Sequence, residues 1–223
     1  MRIDVISALP GIINGPLDES ILKIAQKKSL AEIIVHDLRD YASGKYRHVD
    51  DKPFGGGAGM VLKAEPLFKC IEELLEQRKY NAVIYLSPQG KKLNQKLANK
   101  LSLKNNLLLI CGHYKGIDQR VIDKFVTIEI SIGDYVLTGG ELAALVLIDA
   151  VIRIIPGVLG DSESALTDSF QIESGFDAPV YTRPAEFRGL KVPEVLLGGN
   201  HKNISEWRAE TGLIKYKKIK RKK

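Results

Sequence analysis

Only two cysteines occur among the 223 residues, and neither stands in a CxxC pair or at His/Cys ligand spacing. That excludes a disulfide framework and a cysteine-based zinc site, and it makes Cys70 and Cys111, each on an apolar segment, core residues. No apolar run reaches the roughly 18 residues of a membrane span. The opening MRIDVISALPG lacks the basic start and small-residue cleavage site of a signal peptide, so a soluble, cytoplasmic protein with no membrane partner is expected. Missing too are GxGxxG and GxxxxGK[ST], which sets aside a dinucleotide or P-loop site, and there is no internal repeat.

Positive charge is present but unevenly placed. The net charge is +6, yet residues 215–223 alone hold seven lysines and arginines, leaving the first 214 residues close to neutral. Composition therefore excludes a basic main body. The terminal run has two readings, a solubilising disordered tail or a phosphate-binding arm.

Short segments rich in branched apolar residues recur at 3–9, 33–38, 82–86, 107–111 and 126–132, each bounded by Gly, Pro, Asn or charged residues. They read as strands, several buried on both faces. Between them run helical patterns: Leu67, Phe68, Ile71, Leu74 and Leu75 after Pro66, then Leu93, Leu97 and Leu101, and finally residues 141–155, stopped by Pro156-Gly157. Alternating strand and helix give an α/β class with a mostly parallel sheet. Residues 1–160 form this first domain. Residues 161–181 are polar and aperiodic and read as a long linker, of a length that is usually either functional or disordered. Residues 182–223 form a small C-terminal domain with one helix expected over 203–213.

Three glycine-bearing turns follow three successive strands: SPQG at 87–90, GHYKG at 112–116 and IGDYVLTGG at 132–140. One glycine is usually only a turn residue. Three turns at strand ends can converge on one pocket, because ligands of open parallel sheets bind there. A fourth cluster, Phe54-Gly55-Gly56-Gly57-Ala58-Gly59, follows Asp50-Asp51 and would let a flat or phosphate-bearing group approach the backbone closely.

The blocks VDDKPFGGGAGMVLKAEP, YLSPQGKKL, LLICGHYKGIDQRV, ISIGDYVLTGGELAALVLIDAVIRIIPGVLG, DSF and YTRPAEFRGLKVPEVLLGGNHKNISEWR closely resemble the bacterial tRNA (guanine-N1)-methyltransferase family TrmD, within the SPOUT superfamily. The resemblance extends from Met1 to about Leu213. It implies features that periodicity does not give: a deep trefoil knot in the parallel sheet, a small helical C-terminal domain that binds tRNA, a homodimer with active sites at the interface, and S-adenosylmethionine as methyl donor. The target implied is N1 of the guanosine just 3′ of the anticodon, position 37 of tRNA. Gly112, Ile132, Gly133, Asp134, Tyr135, Val136 and Leu137 match donor-binding positions, with Tyr85, Leu86, Ser87, Pro88, Gly116, Gly139 and Gly140 as further lining. Asp50, Gly55, Gly56, Gly57, Gly59, Arg183, Arg188, His201 and Lys202 are the substrate contacts it suggests.

Guanine N1 carries a proton at neutral pH, so the transfer needs a base to remove it and a cation to steady the charge that spreads onto O6. By resemblance Asp168 of the DSF block is that base and Arg153 the cation. Read without the family, Asp168 is a loop acid and Arg153 a helix-end cation. The family's activity also calls for a divalent ion, Mg²⁺, although no cluster here has the spacing of an all-protein metal site. Two departures stand out: Lys115 occupies a position where the family usually has glutamate, and the chain is shorter than its relatives after the Trp-Arg pair. Two other functions remain open: a knotted methyltransferase with another RNA target, and a non-catalytic RNA-binding module.

Overall fold

A computed structural model describes residues 1–159 and 177–220 of the chain. Asp168 and the rest of the DSF block lie outside the described residues. The chain divides into two compact units, Met1–Gly160 and Asp161–Lys223.

The first unit is built on five parallel strands: β1 (Arg2–Ser7), β2 (Glu32–Asp37), β5 (Ala82–Lys92), β6 (Asn106–Cys111) and β7 (Ile128–Ser131). They lie in the order β2-β1-β6-β5-β7. A separate short antiparallel pair joins β3 (Asp50–Asp51) to β4 (Val61–Leu62). Alternation along each central strand feeds two cores. Ile3 and Val5 of β1, Ile84 and Leu86 of β5, and Leu107, Leu109 and Cys111 of β6 face one side. Ile6, Val83, Tyr85, Leu108 and Ile110 face the other. Burial on both faces explains why these strands read as continuous apolar runs. Each such side chain contributes about 1.5–3 kcal/mol by leaving water.

The first face is covered by α1 (Gly11–Leu17), α2 (Ser20–Lys27), α4 (Gln95–Ser102) and α6 (Glu141–Ile152); the second carries α3 (Ala64–Gln77) and α5 (Gln119–Phe125). α4 is capped by Asn94, whose Oδ1 accepts from the Leu97 N–H at 2.9 Å. α6 is apolar almost all round, as a helix packed on several neighbours must be; it touches α1, α2, α4 and β6. Its regular turns end at Ile152, three residues short of the sequence expectation, with Arg153 as C-cap and Gly157 in the left-handed region beyond it. The stop signal acts at a distance because the chain tightens into turns before Pro156. Cys70 and Cys111 are free, buried and on opposite faces, as expected of core cysteines. Burial pushes the Cys70 thiol up to about 12.

β5 differs most from its expected length. It pairs with β7 through Leu86, bulges over residues 87–90, and pairs again at Lys91 and Lys92, so that Ile130 stands opposite both Leu86 and Lys91. Gly90 makes the return possible: a Cβ there would sit 2.5 Å from the Glu129–Ile130 backbone.

Toward the start of β1 a polar cluster interrupts the apolar face. Asp4 is fully buried and accepts from Arg2 Nε at 2.8 Å, Arg2 Nη2 at 2.9 Å and the Tyr80 hydroxyl at 2.9 Å, and it contacts His36 Nε2 at 2.8 Å. Burial alone would raise this carboxyl, but the hydrogen bonds from His36, Arg2 and Tyr80 prevail and hold it well below the usual carboxylate range.

In the second unit β8 (Glu186–Phe187) and β9 (Leu190–Lys191) form a hairpin. Arg188 and Gly189 both take positive φ there, the requirement of the tightest hairpin turn. Strands of two residues carry no periodicity, so the hairpin is absent from the sequence reading. α7 (Glu194–Leu197) and α8 (His201–Lys220) follow. Asn200 Oδ1 accepts from the backbone N–H groups of Lys202 and Asn203 at 3.1 and 3.3 Å, which fixes the start of α8. The helix runs seven residues past the expected end at 213 and takes in much of the basic run, lysine being a good helix former. Trp207 is half-buried, with the Tyr181 ring 6.5 Å away.

Candidate active site

Leu86 of β5 stands between Cys111 of β6 and Ile130 of β7, and the glycine bulge that follows it in β5 joins the two glycine turns that leave β6 and β7 in enclosing one cleft of about 520 Å³. Tyr85, Leu86, Ser87 and Pro88 line it from the first of these segments. Gly112 and Gly116 line it from the second. Ile132, Gly133, Tyr135, Val136 and Leu137 come from the third, with Gly139 and Gly140 at its close. Of the sequence-expected donor residues, Asp134 is the one outside this lining: its carboxylate turns outward to Lys92.

The turns are fastened to each other by backbone. Gly140 N–H donates to the Gly112 carbonyl at 2.7 Å, and His113 bridges Gly139. Such closeness leaves no room for side chains. A Cβ on Gly140 would stand 2.9 Å from Cys111 Cα, and one on Gly112 would stand 2.8 Å from the Tyr85 hydroxyl. Tyr85 thus supports the second turn from below, its ring in the core and its hydroxyl under Gly112 and Gly116. Burial first, then the Glu129 carboxylate, push its phenol up, so the group under the turns is neutral. His113 Nδ1 is buried and has no hydrogen-bond partner among the described residues.

The glycine-rich loop belongs to the same neighbourhood. Antiparallel pairing of Asp50 with Leu62 closes its base, and Leu62 N–H donates to the Gly116 carbonyl at 3.0 Å. Lys115 N–H donates to the Met60 carbonyl at 3.0 Å, while the Lys115 side chain lies over Gly59. Gly55, Gly56, Gly57 and Gly59 all take positive φ, and Phe54 at the loop's start is fully exposed. Asp50 and these glycines are therefore joined to the cleft through the second turn, a link that spacing along the chain does not reveal.

Arg153 is not in the cleft lining. It closes the C-terminal end of α6, whose first residue follows Gly140, and 12 helical residues put about 18 Å between the two ends. In the second unit Arg183, Arg188, His201 and Lys202 are exposed, with the Arg188 guanidinium over the Phe187 ring at 5.2 Å. Among the described residues no group of three or more His, Cys, Asp or Glu side chains is placed to hold a metal ion, and no helix is long and apolar enough to cross a membrane. Sequence reasoning missed Ala143, which lines the cleft one turn into α6, and the buried pair Ser7 and Glu141 beneath it. The GGE triplet stands out by its glycines alone, and nothing in the spacing couples residue 7 to residue 141.

Comparison with known proteins finds one family along nearly the whole chain. The family model described as "tRNA (Guanine-1)-methyltransferase TrmD" matches residues 1–222. A tRNA (guanine-N(1)-)-methyltransferase of Chlorobaculum tepidum is 58% identical over 210 residues, covering 94% of this chain and 91% of the relative. Proteins of the same name from Christiangramia forsetii and Bacteroides fragilis are each 56% identical over 220 residues, covering 99% of this chain and 97% of the relative. By whole-length match and by identity, the chain belongs to the TrmD family of tRNA (guanine-1)-methyltransferases.

Proposed function

We propose that the protein transfers a methyl group from S-adenosylmethionine to N1 of the guanosine immediately 3′ of the anticodon in tRNA, in the cytoplasm. The observation that carries this reading is the cleft made by the glycine bulge of β5 and the glycine turns that follow β6 and β7. Its volume of about 520 Å³ is that of a small-molecule site, and its walls alternate backbone polar groups with Leu86, Ile132 and Leu137, a surface suited to adenine. The unpartnered His113 Nδ1 offers a further polar contact. The bound donor supplies an electrophilic methyl group on a sulfonium.

The chain's own residues must then orient guanine and move its N1 proton. Asp168 is the base, and Arg153 eases loss of that proton by neutralising charge that develops on O6. In its own chain Arg153 stands a helix length from the cleft, which supports a homodimer in which one protomer's arginine serves its partner's donor site. The α6 surface fits such a pairing. Leu142 and Val146, four residues apart, are 53% and 46% exposed in the single chain although the helix is otherwise apolar and packed. A trefoil knot would suit the tight backbone approach of Gly140 to Cys111 and Gly112, which brings the start of α6 against the turn after β6.

The glycine loop, with Asp50 at its base, holds the target nucleotide beside the cleft. The second unit presents Arg183, Arg188, His201 and Lys202 to tRNA phosphates, and the basic end of α8 extends that surface. Mg²⁺ would be shared with substrate oxygens rather than caged by the protein. The test is methyl transfer from labelled S-adenosylmethionine to an unmodified tRNA transcript. Incorporation proportional to enzyme supports the assignment, whereas donor binding with no transfer to any tRNA would leave an RNA-binding module instead.

A further inference from the structure

A buried carboxylate lies beneath the cleft and has no part in the chemistry described above. Glu141 is the first residue of α6, 1% exposed, and its Oε1 accepts from the Ser7 hydroxyl at 2.8 Å. Ser7 ends β1, and its Oγ also accepts the Leu9 N–H at 2.9 Å. The second oxygen, Oε2, is pressed against the turn that lines the cleft: a Cβ built on Gly139 would stand 2.2 Å from it and 2.6 Å from His113 Nδ1. Gly139 and His113 both line the cleft. Because residue 139 has no side chain, the carboxylate lies directly against the pocket wall.

Burying a carboxylate against a neutral hydroxyl is costly, and the positive end of α6 offsets part of that cost. Packing would be served as well by a neutral residue of the same size. A charge in this place acts on whatever charge enters the cleft, at low effective dielectric and therefore strongly. Donor and product differ there in one respect: the donor's sulfur carries a positive charge, and departure of the methyl leaves the electron pair on sulfur as a neutral thioether.

We propose that Glu141 is a positioning residue that gives the cleft its preference for the cationic donor over the neutral product, acting through the Gly139 turn. This rests on the methyl-donor reading of the cleft. The carboxylate's field favours loading of the sulfonium and adds nothing to the hold on the neutral thioether, so the cleft binds donor in preference to product.

Calorimetry with S-adenosylmethionine and with S-adenosylhomocysteine, on the full-length protein, provides the test. In Glu141→Gln the donor's affinity falls about tenfold relative to the product's, while product affinity stays near wild type. Glu141→Asp, which keeps the charge, retains most of the preference. Equal weakening of both ligands in Glu141→Gln would mean that the residue only packs the turn, and would overturn the inference. Ser7→Ala removes a hydrogen bond but not the charge, so it keeps the preference at or above the wild-type value; loss of the preference there also contradicts the proposal, and this variant decides the matter if Glu141→Gln does not fold. Failure of the wild-type protein to bind either ligand would instead sink the donor reading itself.

Discussion

Gly140 donates its backbone N–H to the Gly112 carbonyl at 2.7 Å, and through this bond the turn after β6 and the start of α6 become one wall. The approach is possible only for glycine at 140, since a Cβ there would meet Cys111 Cα at 2.9 Å and Gly112 N at 3.0 Å, both rigid backbone. Gly140→Ala must therefore push the turns apart. Overpacking of this kind costs about 1–3 kcal/mol, and donor affinity measured by calorimetry should fall by roughly tenfold or more. Gly11→Ala, where a Cβ meets nothing within 4 Å, is the control and leaves donor affinity unchanged.

The chemistry is expected to separate from binding. Asp168→Asn should retain donor and tRNA affinity while slowing methyl transfer about 10²–10⁴-fold, the usual weight of a positioned base. Arg153→Ala should cost about 10²–10³-fold in the same single-turnover assay. If Arg153 serves the partner's cleft, mixing Arg153→Ala protein with a donor-site variant such as Gly140→Ala restores part of the activity, because mixed dimers then contain one cleft with both parts intact.

Asp4 sets an acid limit on stability. Its carboxyl is held well below its unfolded range near 3.9 by His36, Arg2 and Tyr80, so the folded state binds fewer protons than the unfolded one. The stability it gives is complete above the unfolded value and is lost as pH falls below about 4 toward the folded value. Urea midpoints of wild type should drop over that range. Asp4→Asn should flatten the drop and lower stability near pH 7 by about 3–5 kcal/mol, the cost of breaking a buried ionic group.

The basic end of α8 is helical as far as Lys220 rather than a loose tail. Removing residues 215–223 should weaken tRNA binding at low salt and flatten the dependence of log affinity on log salt, by about 0.7–0.9 in slope for each phosphate no longer neutralised. An unchanged slope would show that these lysines only solubilise the chain.

Much of this architecture is legible in the sequence, because the central strands are buried on both faces and so appear as short apolar runs with sharp ends. The five segments correspond to the five parallel strands. Order within the sheet is not legible: β6 lies between β1 and β5 through pairings that no periodicity records. β5 outruns its apolar stretch because Lys91 and Lys92 pair along β7 by backbone, which is indifferent to side-chain polarity. The three cleft segments are visible as glycines; two of them follow strand ends as expected, while residues 87–90 prove to be a bulge inside β5, a strand that the apolar pattern ends at Leu86. Ser7 and Glu141 are not visible, since a single hydrogen bond across 134 residues leaves no local pattern. The reach of α8 exceeds the expectation because dense charge suggests disorder where lysine's helix propensity prevails.

The central claim is the identity of the methylated atom. Digestion and mass-spectrometric mapping of a tRNA transcript after reaction with labelled S-adenosylmethionine should place one methyl group on N1 of the guanosine following the anticodon, and a transcript with adenosine there should take up none. Equal methylation of the adenosine transcript, or a methyl group mapped to any other nucleotide, would contradict the account.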